Sequence, residues 1–381
     1  MSRLVFPVAL AALVLLEVAL VWFIMPLPGS QRIRSLDLGF LLHSWRWPLR
    51  ILLLTGLAAG LPALARARPA RRVLGAAAAL LAGALIWFTN FRMPADRIFR
   101  QPTTLILAPA ATNTVALDRL VVGVEHRGQA RAYPLQFIGY HHQVRDTIGG
   151  EDVLVSYCTV CRTGRVFLPV VNGRVESFRL VGMDQFNAMF EDATTGSWWR
   201  QANGEAVTGR LEGTRLPELV SRQVTLGQWL DLYPESLVMQ ADPAFLDQYA
   251  RDYAFERGTS RSRLTGTDTA SWREKSWVVG LTLGGESRAY DWNGLRRERL
   301  IHDVLGGTPV LLVLGPDEAS FFAFERPDTA SRFELRGDSL VSGTAAWALN
   351  GYGTAGRLAP LPASQEFWHS WRSFQPGTSR Y

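Results

Sequence analysis

Three apolar stretches crowd into the first 91 residues, at Leu4–Met25, Ile51–Ala65 and Val73–Phe91. They restrict this region to helices surrounded by lipid or by a large apolar core, because lipid leaves no other way to satisfy the backbone. At about 1.5 Å of rise per residue, the first and third are long enough for a hydrocarbon layer of about 30 Å. The second has 15 residues and reaches that length only with Trp47, Pro48 and Leu49, so a re-entrant or tilted segment is an alternative. A cleavable leader has a shorter apolar run and a small-residue cleavage site. Here the first run ends in Met25-Pro26-Leu27-Pro28, which reads as a retained anchor. Glu17 lies inside it, and an acid at that depth is expected to face a helix partner.

Charge divides the chain at the same place. Residues 1–100 hold 12 Arg against Glu17, Asp37 and Asp96, a balance of +9, which leaves −3 for residues 101–381 out of the overall +6. Nucleic-acid binding calls for a clustered basic face on a folded domain, and the larger part of the chain has a single lysine, Lys275, and a slight acidic excess. That class is set aside, and the expected contact of the basic region is the lipid bilayer. Four arginines in Ala65–Arg72 mark the tightest loop as cytoplasmic. With three spans, Arg3 is then inside and everything after Phe91 outside, although Arg32, Arg34, Arg46 and Arg50 pull the other way. The expected location is the cell inner (plasma) membrane, with the soluble domain on the extracytoplasmic side.

After residue 100 the texture changes to short β-branched and aromatic runs broken by Gly, Pro, Asn and Asp. Strands are expected at Leu120–Glu125, Ala130–Pro134, Val153–Tyr157, Arg165–Val171 and Val175–Val181, and helices at Leu226–Leu232 and Phe245–Phe255. The region also resembles itself. An offset of 157 aligns 34 positions from Val121 to Leu154 with Val278 to Leu311 without a gap, and 12 are identical. The match extends to Trp229 and Trp371 with small deletions. The fold class is therefore N-terminal transmembrane helices followed by a β-rich (α+β) extracytoplasmic domain of two duplicated, pseudo-symmetric halves. Residues 1–100 form the membrane region and 101–240 the first repeat, recognisable from about 115. Residues 241–271 form a connector and 272–381 a second, degenerate repeat.

Both cysteines of the chain fall in one step, Tyr157-Cys158-Thr159-Val160-Cys161-Arg162-Thr163-Gly164, and the second repeat has Gly315 and Glu318 in their places. A Cys-x-x-Cys step serves as a redox dithiol, as half of a metal site, or as a small disulfide. The β-branched run after Gly164 argues against a thioredoxin-like helix. A strand–turn–strand aims two sulfurs at one point, and a metal would take further ligands from His141, with Met189 or, more weakly, Met183 and His142. Two thiolates, an imidazole and a thioether favour copper over zinc. Asp146 recurs as Asp303 in the half without cysteines, so it reads as a turn cap. Asp192, Thr195, Ser197, Trp198, Trp199 and Gln201 form a polar-aromatic cluster that reads as a turn with packed tryptophans, or as a pocket wall.

The run Arg131-Ala132-Tyr133-Pro134-Leu135, with His141, Asp146, Gly149-Gly150 and the cysteine step, continues through Asp192-x-x-Thr195-x-Ser197-x-Trp199-x-Gln201 and Gly204-Glu205-Ala206-x-x-Gly209. Together these motifs resemble an uncharacterised bacterial family, the domain of unknown function numbered 3179. The resemblance covers residues 115–240 well and the remainder only through the repeat. It implies an exported or membrane-anchored protein and supplies no reaction. This chain has His142 where the family usually has Glu, Arg145 where it has Asn, and Thr159-Val160 where it has Pro-Leu. His141, Cys158 and Cys161 stand in place. Three functions follow in order: binding or handling of a metal, copper or zinc; thiol–disulfide redox chemistry on an exported protein partner; or a non-enzymatic interaction module with a structural disulfide.

Overall fold

A computed structural model describes residues 2–33 and 35–381. They divide into two compact units, one taking the chain up to Arg100 together with 178–199 and 206–213, the other taking 101–177, 200–205 and 214–381. Residues 178–199 and 206–213 thus cluster with the N-terminal helices, although the sequence places them inside the first repeat.

The first unit is built on helices α1 (Ser2–Trp22), α2 (Leu36–Ala65) and α3 (Pro69–Phe91), each long and apolar enough to cross a membrane. The 15-residue second stretch is not a separate segment. It is the C-terminal half of α2, a continuous helix of 30 residues that runs through Pro48. Arg46 and Arg50 hide this in the sequence by interrupting the apolar run, but Arg50 is neutralised within the bundle. Its Nε and Nη2 donate to the Glu17 carboxylate at 2.6 and 2.8 Å, and Asn90 Nδ2 donates to the same carboxylate at 2.8 Å. Glu17 therefore has partners on both other helices, as an acid at this depth requires. Arg46 and Arg50 belong to a helix and not to the first loop; Arg34 lies outside the described residues. Helix α1 meets α2 at Gly60, where a Cβ would sit 2.6 Å from the Phe6 backbone nitrogen.

A four-stranded antiparallel sheet completes this unit, formed by Phe178–Asp184, Asn187–Asp192, Trp198–Arg200 and Ala206–Thr208. Val181, Met189 and Trp198 form a small core with Ile24, Leu36 and Phe40, and the Met183 backbone N–H donates to Ile24 O at 2.7 Å.

The second unit contains one strand order twice. The sheet 237–239, 129–134, 120–126, 221–225 recurs as 379–380, 286–291, 277–283, 363–367. Registers recur with it. Val121 faces Pro134 as Val278 faces Asp291, and Leu154 faces Phe167 as Leu311 faces Phe324, each with the offset of 157. Trp229 lies over Gly123 and Trp371 over Gly280, where a Cβ would come within 2.3 and 2.2 Å of the indole. The Asp146 and Asp303 carboxylates accept from Tyr133 and Tyr290 at 2.5 and 2.7 Å and from the next backbone N–H at 2.7 Å in both cases.

The expected strands appear within a few residues of their bounds, and Leu226–Leu232 is a helix. The helix expected at Phe245–Phe255 is instead a 3-10 turn at Pro243–Phe245 followed by loops. The Asp242 carboxylate caps that turn, accepting from Ala244 N–H at 2.9 Å, and Tyr249 is drawn inward by its hydroxyl contact with His141.

Candidate functional site: a buried dithiol turn

The strand Glu151–Cys158 and the strand Thr163–Phe167 pair antiparallel and leave a four-residue turn, Thr159–Arg162, with Cys158 at the end of the first strand and Cys161 inside the turn. Gly164 lets the second strand lie close, since a Cβ there would be 2.8 Å from Val122 Cγ2 and 3.2 Å from the Tyr157 ring. Arg162 takes a left-handed φ of 58° to turn the chain back. Its buried guanidinium donates to Gln365 Oε1 at 2.9 Å, Phe255 O at 2.8 Å and Glu256 O at 3.0 Å, and lies 3.6 Å from the Trp277 ring centroid. Cys158 and Cys161 are both fully buried thiols, not joined in a disulfide.

The second half closes the site. Phe367 N–H donates to Cys161 O at 2.9 Å, at the start of the helix Trp368–Phe374. Lys275 Nζ donates to Val160 O, between the two cysteines, at 2.8 Å and to Leu264 O at 2.6 Å; it lies 3.2 Å from His369 Nε2. Its head also sits 4.6 Å from the Phe367 ring centroid. Burial lowers the Lys275 pKa, and thiolate charge on Cys161 and Cys158 works in the opposite direction. Burial, aided by Lys275, drives the His369 imidazole down to about 3, so it is neutral at physiological pH. Tyr157 is raised well above the usual phenol range, chiefly by burial. Its hydroxyl has no hydrogen-bond partner among the described residues. Alongside, a cleft of ≈ 560 Å³ is lined by Arg162, Glu256, Trp277, Gln365, Asp317 and Glu318, among others.

The other sequence candidates divide between the two units. His141 is buried with Nε2 2.8 Å from the Tyr249 hydroxyl and its ring against Phe245. His142 ends the helix Leu135–His141 with φ 61°, as Arg299 ends its counterpart with φ 66°. Burial lowers its pKa to about 4. Met189 and Met183 belong to the other unit, where Met189 fills the core beside α2. Among the described residues, no group of three or more His, Cys, Asp or Glu is arranged to hold a metal ion. The Asp192 cluster is a closed turn: its carboxylate accepts from Thr195 Oγ1 at 2.9 Å, Ser197 N at 3.0 Å and Trp199 Nε1 at 3.0 Å. Trp198 packs on Phe40, with centroids 5.1 Å apart, and not between the halves. Gln201 belongs to the second unit and donates to Thr163 O at 3.0 Å and Ser156 Oγ at 3.2 Å.

Lys275, His369 and Tyr157 were missed in the sequence. Tyr157 and His369 carry no local signal. Lys275 does, because all 39 other basic residues among the 40 of the chain are arginine.

These features define a class of protein with apolar N-terminal helices and a β-rich unit that buries a dithiol turn. The chain belongs to the family described as Protein of unknown function (DUF3179), whose model matches residues 101–378. No curated protein and no solved structure matches it.

Proposed function

We propose that this is a membrane-anchored, extracytoplasmic dithiol protein whose Cys158 and Cys161 interconvert with a disulfide. One observation carries the reading: two buried thiols share a turn whose central carbonyl is held by a partly buried ammonium. A neighbouring cation favours the thiolate, the form that attacks a disulfide. In the reaction, Sγ of one cysteine attacks an acceptor disulfide and the second cysteine resolves the mixed intermediate. Two electrons and two protons leave the dithiol, and the acceptor departs as two thiols. Complete burial confines the exchange to small molecules arriving by the cleft, or to partners that displace the Phe367–His369 cover.

The metal reading draws less support, since Met189 packs in the helical core and His141 Nε2 faces the Tyr249 hydroxyl. The outward placement rests on Arg66 and Arg68 of the α2–α3 loop with Arg71 and Arg72 in the first turn of α3, and gains from Arg50, whose pairing with Glu17 removes it from the opposing charge count. The repeated registers support descent of both halves of the second unit from one ancestral unit.

The test equilibrates the full chain, in detergent, with glutathione mixtures of graded ratio, followed by alkylation and mass measurement. A reversible loss of two alkylatable thiols supports the proposal. A dithiol that persists in every mixture overturns it, and retention of one cuprous ion by that dithiol would instead support the metal reading.

A further inference from the structure

The chain meets its need for positive charge with arginine at every position but one. An ammonium differs from a guanidinium in being a compact point charge with three donors, where the guanidinium spreads five donors over a rigid plane. At position 275 the surroundings fit the former. Val160 O and Leu264 O accept from it at 2.8 and 2.6 Å, and His369 Nε2, itself 3.2 Å from Val160 O, lies 3.2 Å away. These partners come from the dithiol turn, the connector and the last helix, so one side chain ties three segments together. With two of its hydrogens so engaged, the ammonium acts on thiolate charge through space. A partly buried cation keeps more of its attraction for nearby thiolate than an exposed one, because less water screens it.

We infer that Lys275 is the positioning residue of the dithiol, a fixed point cation that stabilises the reduced, negatively charged form of Cys158 and Cys161 over the disulfide. This deepens the redox reading above and rests on it. The disulfide carries no charge for the ammonium to balance, so removing the cation should favour the oxidised state.

Lys275→Met keeps the stem and removes the charge. In the glutathione equilibrium of the full chain it should shift the constant at least about tenfold toward disulfide, which for a two-electron couple is about 30 mV. Lys275→Arg restores the charge and should return the constant to within about threefold of the parent. A constant for Lys275→Met within about twofold of the parent overturns the assignment. Because the chain has one lysine, a second measurement needs no variant at that position. Lysine labelled with 15N at the side-chain nitrogen gives a single ammonium resonance. It should move between the reduced parent and the Cys158→Ser/Cys161→Ser chain, and an unmoved resonance also overturns the assignment. If the parent stays a dithiol in every mixture, the redox reading fails by itself and the ammonium resonance still decides the place of Lys275.

Discussion

Two turns at equivalent places in the repeated topology are held together in opposite ways. In Gly315–Ser320 the support comes mainly from within: the Asp317 carboxylate accepts from Ala319 N–H at 3.1 Å and Ser320 N–H at 2.9 Å, and Gly315 N–H donates to Ser320 O at 2.7 Å. In Cys158–Thr163 the carbonyls are met from outside, by Lys275 and by Phe367 N–H. Each turn also touches the start of the other half's last helix, Cys161 at Phe367 and Ser320 at Thr225, where Thr225 N–H donates to Ser320 Oγ at 2.9 Å. The difference teaches that an aspartate inside the turn supplies one of them with part of its own support, beside the contacts of Thr225 and Arg299. The other turn has no such acid, is buried, and takes hydrogen bonds from Lys275 and Phe367.

The comparison can be broken most severely where the halves agree. Gly123→Ala and Gly280→Ala each press a methyl group into an indole and should each cost about 3 kcal/mol or more, read as loss of the unfolding transition in denaturant. Equal penalties would show equal structural dependence on the two halves.

Acid should then separate the turns. The folded-state pKa of His369 lies near 3, below an ordinary unfolded value near 6.5, so the unfolded chain takes up that proton first. Its contribution is complete above pH 6.5 and is lost as pH falls. One buried imidazole should cost about 2 kcal/mol between pH 6.5 and 5, and His369→Gln should flatten the stability profile in that window. An unchanged slope would mean that the imidazole does not stay neutral under the cover of the dithiol turn.

Asp317→Ala should cost about 1 to 2 kcal/mol by removing the internal cap, with no change in the glutathione equilibrium of the cysteines. The smallest effect belongs to Glu318→Ala. That residue occupies the Cys161 position but is exposed and paired only with Arg296 and Arg299, so its loss should stay below about 0.5 kcal/mol in thermal unfolding.

The repeat was readable because glycines and strand residues such as Gly123, Tyr133, Asp146 and Gly149 hold the same backbone geometry in both halves, and geometry of that kind demands particular residue types. The continuous α2 was not readable, because an arginine in an apolar run looks like a loop until Glu17, 33 residues earlier, is known to face it. The dithiol turn was visible through its spacing. Its partners Lys275 and His369 were not, since they reach it across more than a hundred residues of intervening chain, whereas Met189, nearer in sequence, belongs to the other unit. The departure of residues 178–199 and 206–213 to the helical unit was equally hidden: Met189 is apolar in either setting, and nothing in it names the surface it covers.

That departure has a practical corollary. The polypeptide passes from one unit to the other five times, near residues 100, 177, 199, 205 and 213. No single cut can release an intact soluble fragment. A recombinant chain beginning at residue 101 would carry a four-stranded sheet stripped of Ile24, Leu36 and Phe40, leaving Val181, Met189 and Trp198 as an adhesive apolar face. Such a fragment should self-associate, because that sheet clusters with the N-terminal helices.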